Sequence, residues 1–112
     1  MTSAEARRLA LALPQAVERD HHGMASFRVR GKIFATVPDE RHLRVMADEG
    51  DILAAVAEDP AACSPLTWGG RVACVVVELA LASPQLVEEL LTDAWRRKAP
   101  RLLVREHDSA GS

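Results

Sequence analysis

The chain has 112 residues, 48% of them hydrophobic and 27% charged, with a formal net charge of −2. That size and balance belong to a folded domain that buries its core without disulfides or metals, and exclude a disordered composition. Weak overall acidity removes any whole-molecule attraction to nucleic acid or anionic lipid, so such binding has to come from a local patch.

The first element is a helix. Thr2 and Glu5 have the spacing of a capping box. Ala6, Leu9, Ala10 and Leu13 then recur at helical spacing, which predicts a helix over 3–13 that Pro14 stops. Residues 16–21 are expected to form a short strand. Ser26–Arg30 and Ile33–Val37 flank Gly31-Lys32, and a glycine first in a two-residue turn predicts a type II′ hairpin. In that register Val29 faces Phe34 and Phe27 faces Thr36. Phe27, Val29 and Phe34 then take the core face. Arg28 and Arg30 take the other face with Ile33, Ala35 and Val37, and Lys32 sits at the turn.

His42–Ala47 alternates and predicts another strand, with Leu43 and Val45 inward. Asp48 is placed to cap a helix with the stripe Ile52, Leu53, Val56 and Ala57, ended by Asp59-Pro60. Cys63–Gly70 reads as irregular. Arg71–Leu81 is valine-rich and predicts a central strand. Ser83, followed by Pro84 at the first helical position, starts a last helix. Its stripe is Leu86, Val87, Leu90, Leu91, Ala94 and Trp95, with Arg96, Arg97 and Lys98 in the last turn before Pro100. The tail 107–112 is polar and expected to be disordered, leaving a single domain over 1–106. The fold class is α+β: a two-layer structure with an antiparallel sheet and helices packed on one face, in the order α-β(3-4)-α-β(1-2)-α.

Leu13-Pro14-x-Ala16-Val17-Glu18, His22-Gly23, Ser26–Ala35, Pro65-x-x-Trp68-Gly69 and Leu90-Leu91-x-x-Ala94-Trp95 together resemble the MmcQ/YjbR family over residues 3 to 103. The resemblance implies one antiparallel sheet in a topology similar to frataxin-like (CyaY-like) and secretion-chaperone-like domains. It also implies DNA binding through a double-wing arrangement, with Arg28 to Phe34 as one wing and Arg28, Arg30 and Lys32 as its basic positions. No catalytic residues come with it.

Residues 28 to 44 carry five cations against Asp39 and Glu40. Arg28, Arg30 and Lys32 are candidates for phosphate contact, with Arg41, Arg44 and Arg71 extending the patch. The same residues also fit a solvated sheet face whose long cations deter edge pairing. A second basic cluster over Arg96–Arg105 is explained by helix-dipole complementarity unless it lies beside the hairpin. His22 and Trp68 are candidates for a groove.

His21, His22 and His42 invite a metal hypothesis, but adjacent histidines in a strand point to opposite faces and no zinc-ligand spacing is present, so no metal or other cofactor is expected. No G-x-S-x-G, phosphate loop or H-E-x-x-H occurs, and no catalytic residue is assigned. Cys63 is the one candidate nucleophile, while Cys74 is expected in the core.

The expected partner is double-stranded DNA. The alternative is a protein-interaction or small-ligand module using the open sheet face, and an enzyme using His22 or Cys63 trails both. A monomer or weak homodimer in the cytoplasm, away from membranes, completes the expectation, since the first turn carries Glu5, Arg7 and Arg8 with no apolar run after it.

Overall fold

Thr2 starts the first helix as its spacing predicts. Its hydroxyl accepts from the Glu5 amide at 3.1 Å, and the Glu5 carboxylate accepts from the Thr2 amide at 3.3 Å. The computed structural model describes residues 1–110. Its elements are α1 (Ser3–Leu11), β1 (Ala16–His21), β2 (Met24–Val29), β3 (Lys32–Val37), β4 (His42–Val45), α2 (Glu49–Glu58), β5 (Cys63–Trp68), β6 (Arg71–Glu78), α3 (Pro84–Lys98) and α4 (Arg101–Ala110). The strands form one six-stranded sheet in the order β1-β2-β3-β4-β6-β5, antiparallel at every pairing.

Helices α1, α2 and α3 bury their apolar stripes against one face of the sheet, around Phe27, Val29, Phe34, Leu43, Val45, Val75 and Val77. All six stripe residues expected on α3 are buried, and the indole N–H of Trp95 donates to the Pro14 carbonyl at 3.0 Å. That bond satisfies the one polar atom of a fully buried side chain and ties α3 to the end of α1. Asp48 and Ser83 cap α2 and α3 as expected, accepting from the amides of Asp51 and Leu86.

The hairpin turns depart from the expected geometry. Arg30 and Gly31 both have positive φ, 51° and 80°, so the turn is Arg30-Gly31 of the type I′ class and not Gly31-Lys32. His22-Gly23 and Gly69-Gly70 make the same kind of turn between β1 and β2 and between β5 and β6. The β2–β3 register therefore differs from the sequence reading: Phe27 faces Ala35, Ser26 faces Thr36 and Arg28 faces Ile33. A bulge inserts Phe34 between Ile33 and Ala35, the partners of Arg28 and Phe27. The extra residue sends both Phe34 and Ala35 into the core and turns Thr36 outward. Ala35 and Val37 thus leave the arginine side, where the simpler register had placed them.

Other departures have identifiable causes. Cys63–Trp68 is an edge strand and not an irregular stretch, because Pro65 is tolerated where one side of the strand has no partner. On α2 the buried residues are Ile52 and Ala55, while Leu53 is 51% exposed. Pro100 stops α3 and also precedes α4, which the sequence reading missed. The expected disordered tail is thus helical from His107 to Ala110, and residues 111–112 lie outside the described residues. His107 packs its ring edgewise on Trp95, with centroids 5.0 Å apart.

Candidate functional site

The register defines a second sheet face that no helix covers. Residues paired across antiparallel strands share a face. Arg19, Ser26, Thr36, Arg44, Val76 and Ser64 therefore form one row across all six strands of this outer face. The neighbouring row toward the Arg30-Gly31 turn holds Val17, Arg28 and Ile33. Ser26 and Thr36 are fully or almost fully buried although they face outward, and the Arg28 guanidinium lies against Ser26.

Strand direction sorts the expected basic residues into three places. Because β2, β4 and β5 run the same way, the Arg30-Gly31 turn, the Met46–Glu49 connection and the Gly69-Gly70 turn share one end of the sheet. Arg30, Lys32 and Arg71 stand at that end. Arg28 and Arg44 stand on the outer face itself. Arg41 is at the opposite end, in the β3–β4 loop, where it pairs with Glu78 at 3.3 Å. The three hairpin cations therefore do not share one face. Arg28 is on the face, Arg30 is in the turn, and Lys32 begins β3 opposite Val29.

Among the described residues the ion pairs are Arg7–Glu18, Arg41–Glu78, His42–Asp39 and Arg96–Asp108. Arg28, Arg30, Lys32, Arg44, Arg71, Arg97 and Lys98 are in none of them. Arg28 Nε donates to the Ser26 hydroxyl at 3.1 Å, and that hydroxyl donates to the Arg19 carbonyl at 2.8 Å. Arg30 Nε donates to the Gln15 side-chain oxygen at 2.6 Å. Neutral acceptors position these guanidinium groups without cancelling their charge.

The second basic cluster does reach the hairpin. Arg97 and Lys98 line the same cleft as Gly31 and Lys32, a space of about 670 Å³ that extends as far as His21 at the end of β1. Arg97 is held there by donating to the Met46 carbonyl at 3.0 Å. Ile33, Met46, Val72 and Thr36 form other parts of the wall, with Asp48 and Glu49 as its acids. In sequence, helix-dipole complementarity accounts for Arg97 and Lys98 unless they lie beside the hairpin. Only the packing of α3 against β3 shows that they also face the hairpin. Thr36 gave no signal, because a single strand hydroxyl has no periodicity to reveal it.

His22 and Trp68 do not border one groove. They belong to the two edges of the sheet, β1 and β5, which are separated by five strand spacings, about 24 Å. His22 is a left-handed turn residue with φ 53°. It is therefore outside the strand, and its ring meets that of His21 edgewise at 4.5 Å instead of pointing to the opposite face. Trp68 is 78% exposed beside Arg71.

Both cysteines are buried and free. Cys63 faces the core, and burial together with Asp59 and Glu58 raises its thiol pKa, which disfavours the thiolate a nucleophile needs. Cys74 is buried on the outer side and not in the main core. Burial raises its pKa too, opposed by the nearby Arg44 charge.

Fold and site together define an open-faced α+β sheet protein with uncompensated cations on its bare face and at one end. A family model described as YjbR matches residues 11–97. The chain belongs to the YjbR family. No curated protein and no solved structure matches it. Among the described residues no helix is long and apolar enough to cross a membrane.

Proposed function

We propose that this protein binds double-stranded DNA by its phosphates, through the outer sheet face and the adjoining cationic end. The observation that carries this reading is that Lys32, Arg97 and Lys98 line one cleft at the end of the sheet that also holds Arg30 and Arg71, with Arg28 and Arg44 on the adjoining outer face, and that none of the seven is in an ion pair with a carboxylate, in a chain whose net charge is −2. Phosphate is the ligand that such a local group of cations attracts. Arg28 and Arg30 are oriented by Ser26 and Gln15. Their contacts fix position on a duplex without reading its sequence. Arg41, given to Glu78 at the far end, is outside this interface. The site of action on this reading is the cytoplasm.

The test is a fluorescence-anisotropy titration of labelled duplex at rising salt. Binding weakens steeply with salt, and the Arg28→Ala/Arg30→Ala/Lys32→Ala variant flattens the log–log slope by about 2.7, one counterion-release term per lost contact. Absent binding at low salt, or a slope the variant leaves unchanged, removes the proposal.

Exposed Trp68, on the edge strand β5, favours a second reading, a protein-interaction surface along that edge.

A further inference from the structure

Two buried side-chain polar atoms have no hydrogen-bond partner among the described residues: Thr36 Oγ1 and Arg44 Nε. They are not scattered. Thr36 and Arg44 are direct cross-strand partners on β3 and β4, so both side chains rise from the same patch of the outer face. Both atoms carry a hydrogen to donate, and Nε–H has no acceptor role at all. Buried polar groups in folded proteins are almost always satisfied, so the orphan Thr36 hydroxyl, which opens on a cleft, calls for an external acceptor.

Thr36 is only 3% exposed, and it lines the 670 Å³ cleft that runs from the cationic end of the sheet to His21. Lys32, Arg97 and Lys98 line the same cleft, against Asp48 and Glu49. The Asp48 carboxylate is engaged as the cap of α2, accepting from the Asp51 amide at 2.8 Å. Ile33, Met46 and Val72 supply apolar wall. The volume is in the range of small-molecule sites, where a few convergent polar groups orient a mostly apolar lining.

We infer that this cleft binds a small molecule bearing an oxyanion, a phosphate or carboxylate group. The oxyanion accepts from Thr36 Oγ1, and Lys32 and Lys98, which line the same cleft, are its counter-charges. An oxygen of the DNA backbone has the same chemistry, and Thr36 separates the two sources. It is nearly fully buried, so it is reached by a ligand that enters the cleft and not by a duplex lying across the cations outside.

The probe is inorganic phosphate, with acetate as a second arm and sodium chloride at matched ionic strength as the control. Each is titrated into the ¹⁵N-labelled full chain while amide shifts are followed. Saturable shifts at Lys32, Thr36 and Ala47 are expected with phosphate or acetate and not with chloride. Thr36→Val keeps the branched shape and removes the donor. It weakens phosphate binding about tenfold, as expected for a lost hydrogen bond to a charged group. Its melting temperature does not fall, and its duplex affinity stays within about twofold of the unmodified chain. Lys98→Gln weakens phosphate binding several-fold with the same thermal control. Shifts no different from chloride, or a Thr36→Val protein that binds phosphate as tightly as before, overturn the site. A loss of duplex affinity in Thr36→Val without any free-phosphate binding assigns the donor to DNA and overturns the small-molecule source. The site shares Lys32 and Lys98 with the duplex proposal, and Thr36, which is in none of that proposal's contacts, tells the two apart.

Discussion

Arg71 and Arg41 look interchangeable in sequence, yet the structure places them at opposite ends of the same strand system. Arg71 begins β6, and Arg41 grips Glu78, which ends it. The seven residue steps between Arg71 and Glu78 span about 23 Å of extended chain. Arg71 has no carboxylate partner among the described residues and stands beside the exposed Trp68. One phosphate contact is worth a salt slope of about 0.9. At about 0.1 M salt that counterion release amounts to about 1.2 kcal/mol, or roughly an eightfold change in affinity. Arg71→Ala is therefore expected to weaken duplex binding about eightfold and flatten the slope by about 0.9. Arg41→Ala leaves both unchanged within error and costs the fold little, since its ion pair is exposed. Both variants are read by anisotropy on one labelled duplex across a series of sodium chloride concentrations. Equal losses for the two variants, or an unchanged slope for Arg71→Ala, would refute the placement of the interface.

Trp95→Phe removes the indole donor and strands the Pro14 carbonyl. Counting an unsatisfied buried acceptor and a modest cavity, it costs about 2–4 kcal/mol. In a domain of this size that is a fall of about 8–16 °C in melting temperature by circular dichroism, and a fall under about 3 °C contradicts the contact. Cys63 and Cys74 are buried with raised thiol pKa values. A thiol reagent such as Ellman's is thus expected to find no fast-reacting group in the native protein and two in denaturant, and a fast native thiol contradicts the packing of β5 on β6.

Burial, followed by repulsion from Asp51, Glu89 and Asp48, raises the Asp93 carboxyl above its ordinary range, against the pull of Arg96. Raised in the folded state, this group binds more protons there than in the unfolded chain, so it lowers stability as pH rises through its folded pKa. Asp93→Asn is expected to raise the urea midpoint near neutral pH and to leave it unchanged near about pH 3, where the native carboxyl is already protonated. An unchanged midpoint at both pH values is the contrary result.

Local chemistry was legible where it is carried by a few residues close in sequence. The caps at Thr2, Asp48 and Ser83 and the whole apolar stripe of α3 could be read directly, because a helix repeats its buried side every three to four residues. Register was not legible. Arg30 adopts a positive φ that the sequence reading reserved for glycine alone, and the inserted Phe34 reverses every inside–outside assignment beyond it on β3. Pro100 has two meanings, a stop for one helix and a start for the next, and only the apolar partners of Leu103 decide between them. The basic residues were all visible as residues, but their grouping depends on strand order. That order separates Arg41 from Arg71 and brings Arg97 and Lys98 from a distant helix to the hairpin.

Amide-shift mapping of the full chain against a short duplex at low salt tests the assigned surface most directly. The account predicts perturbation along Arg28–Lys32, at Arg44, Gly70 and Arg71 and at the end of α3, with Pro38–Arg41 and α4 silent. Shifts concentrated at the Pro38–Arg41 end, or spread evenly over the molecule, would contradict it.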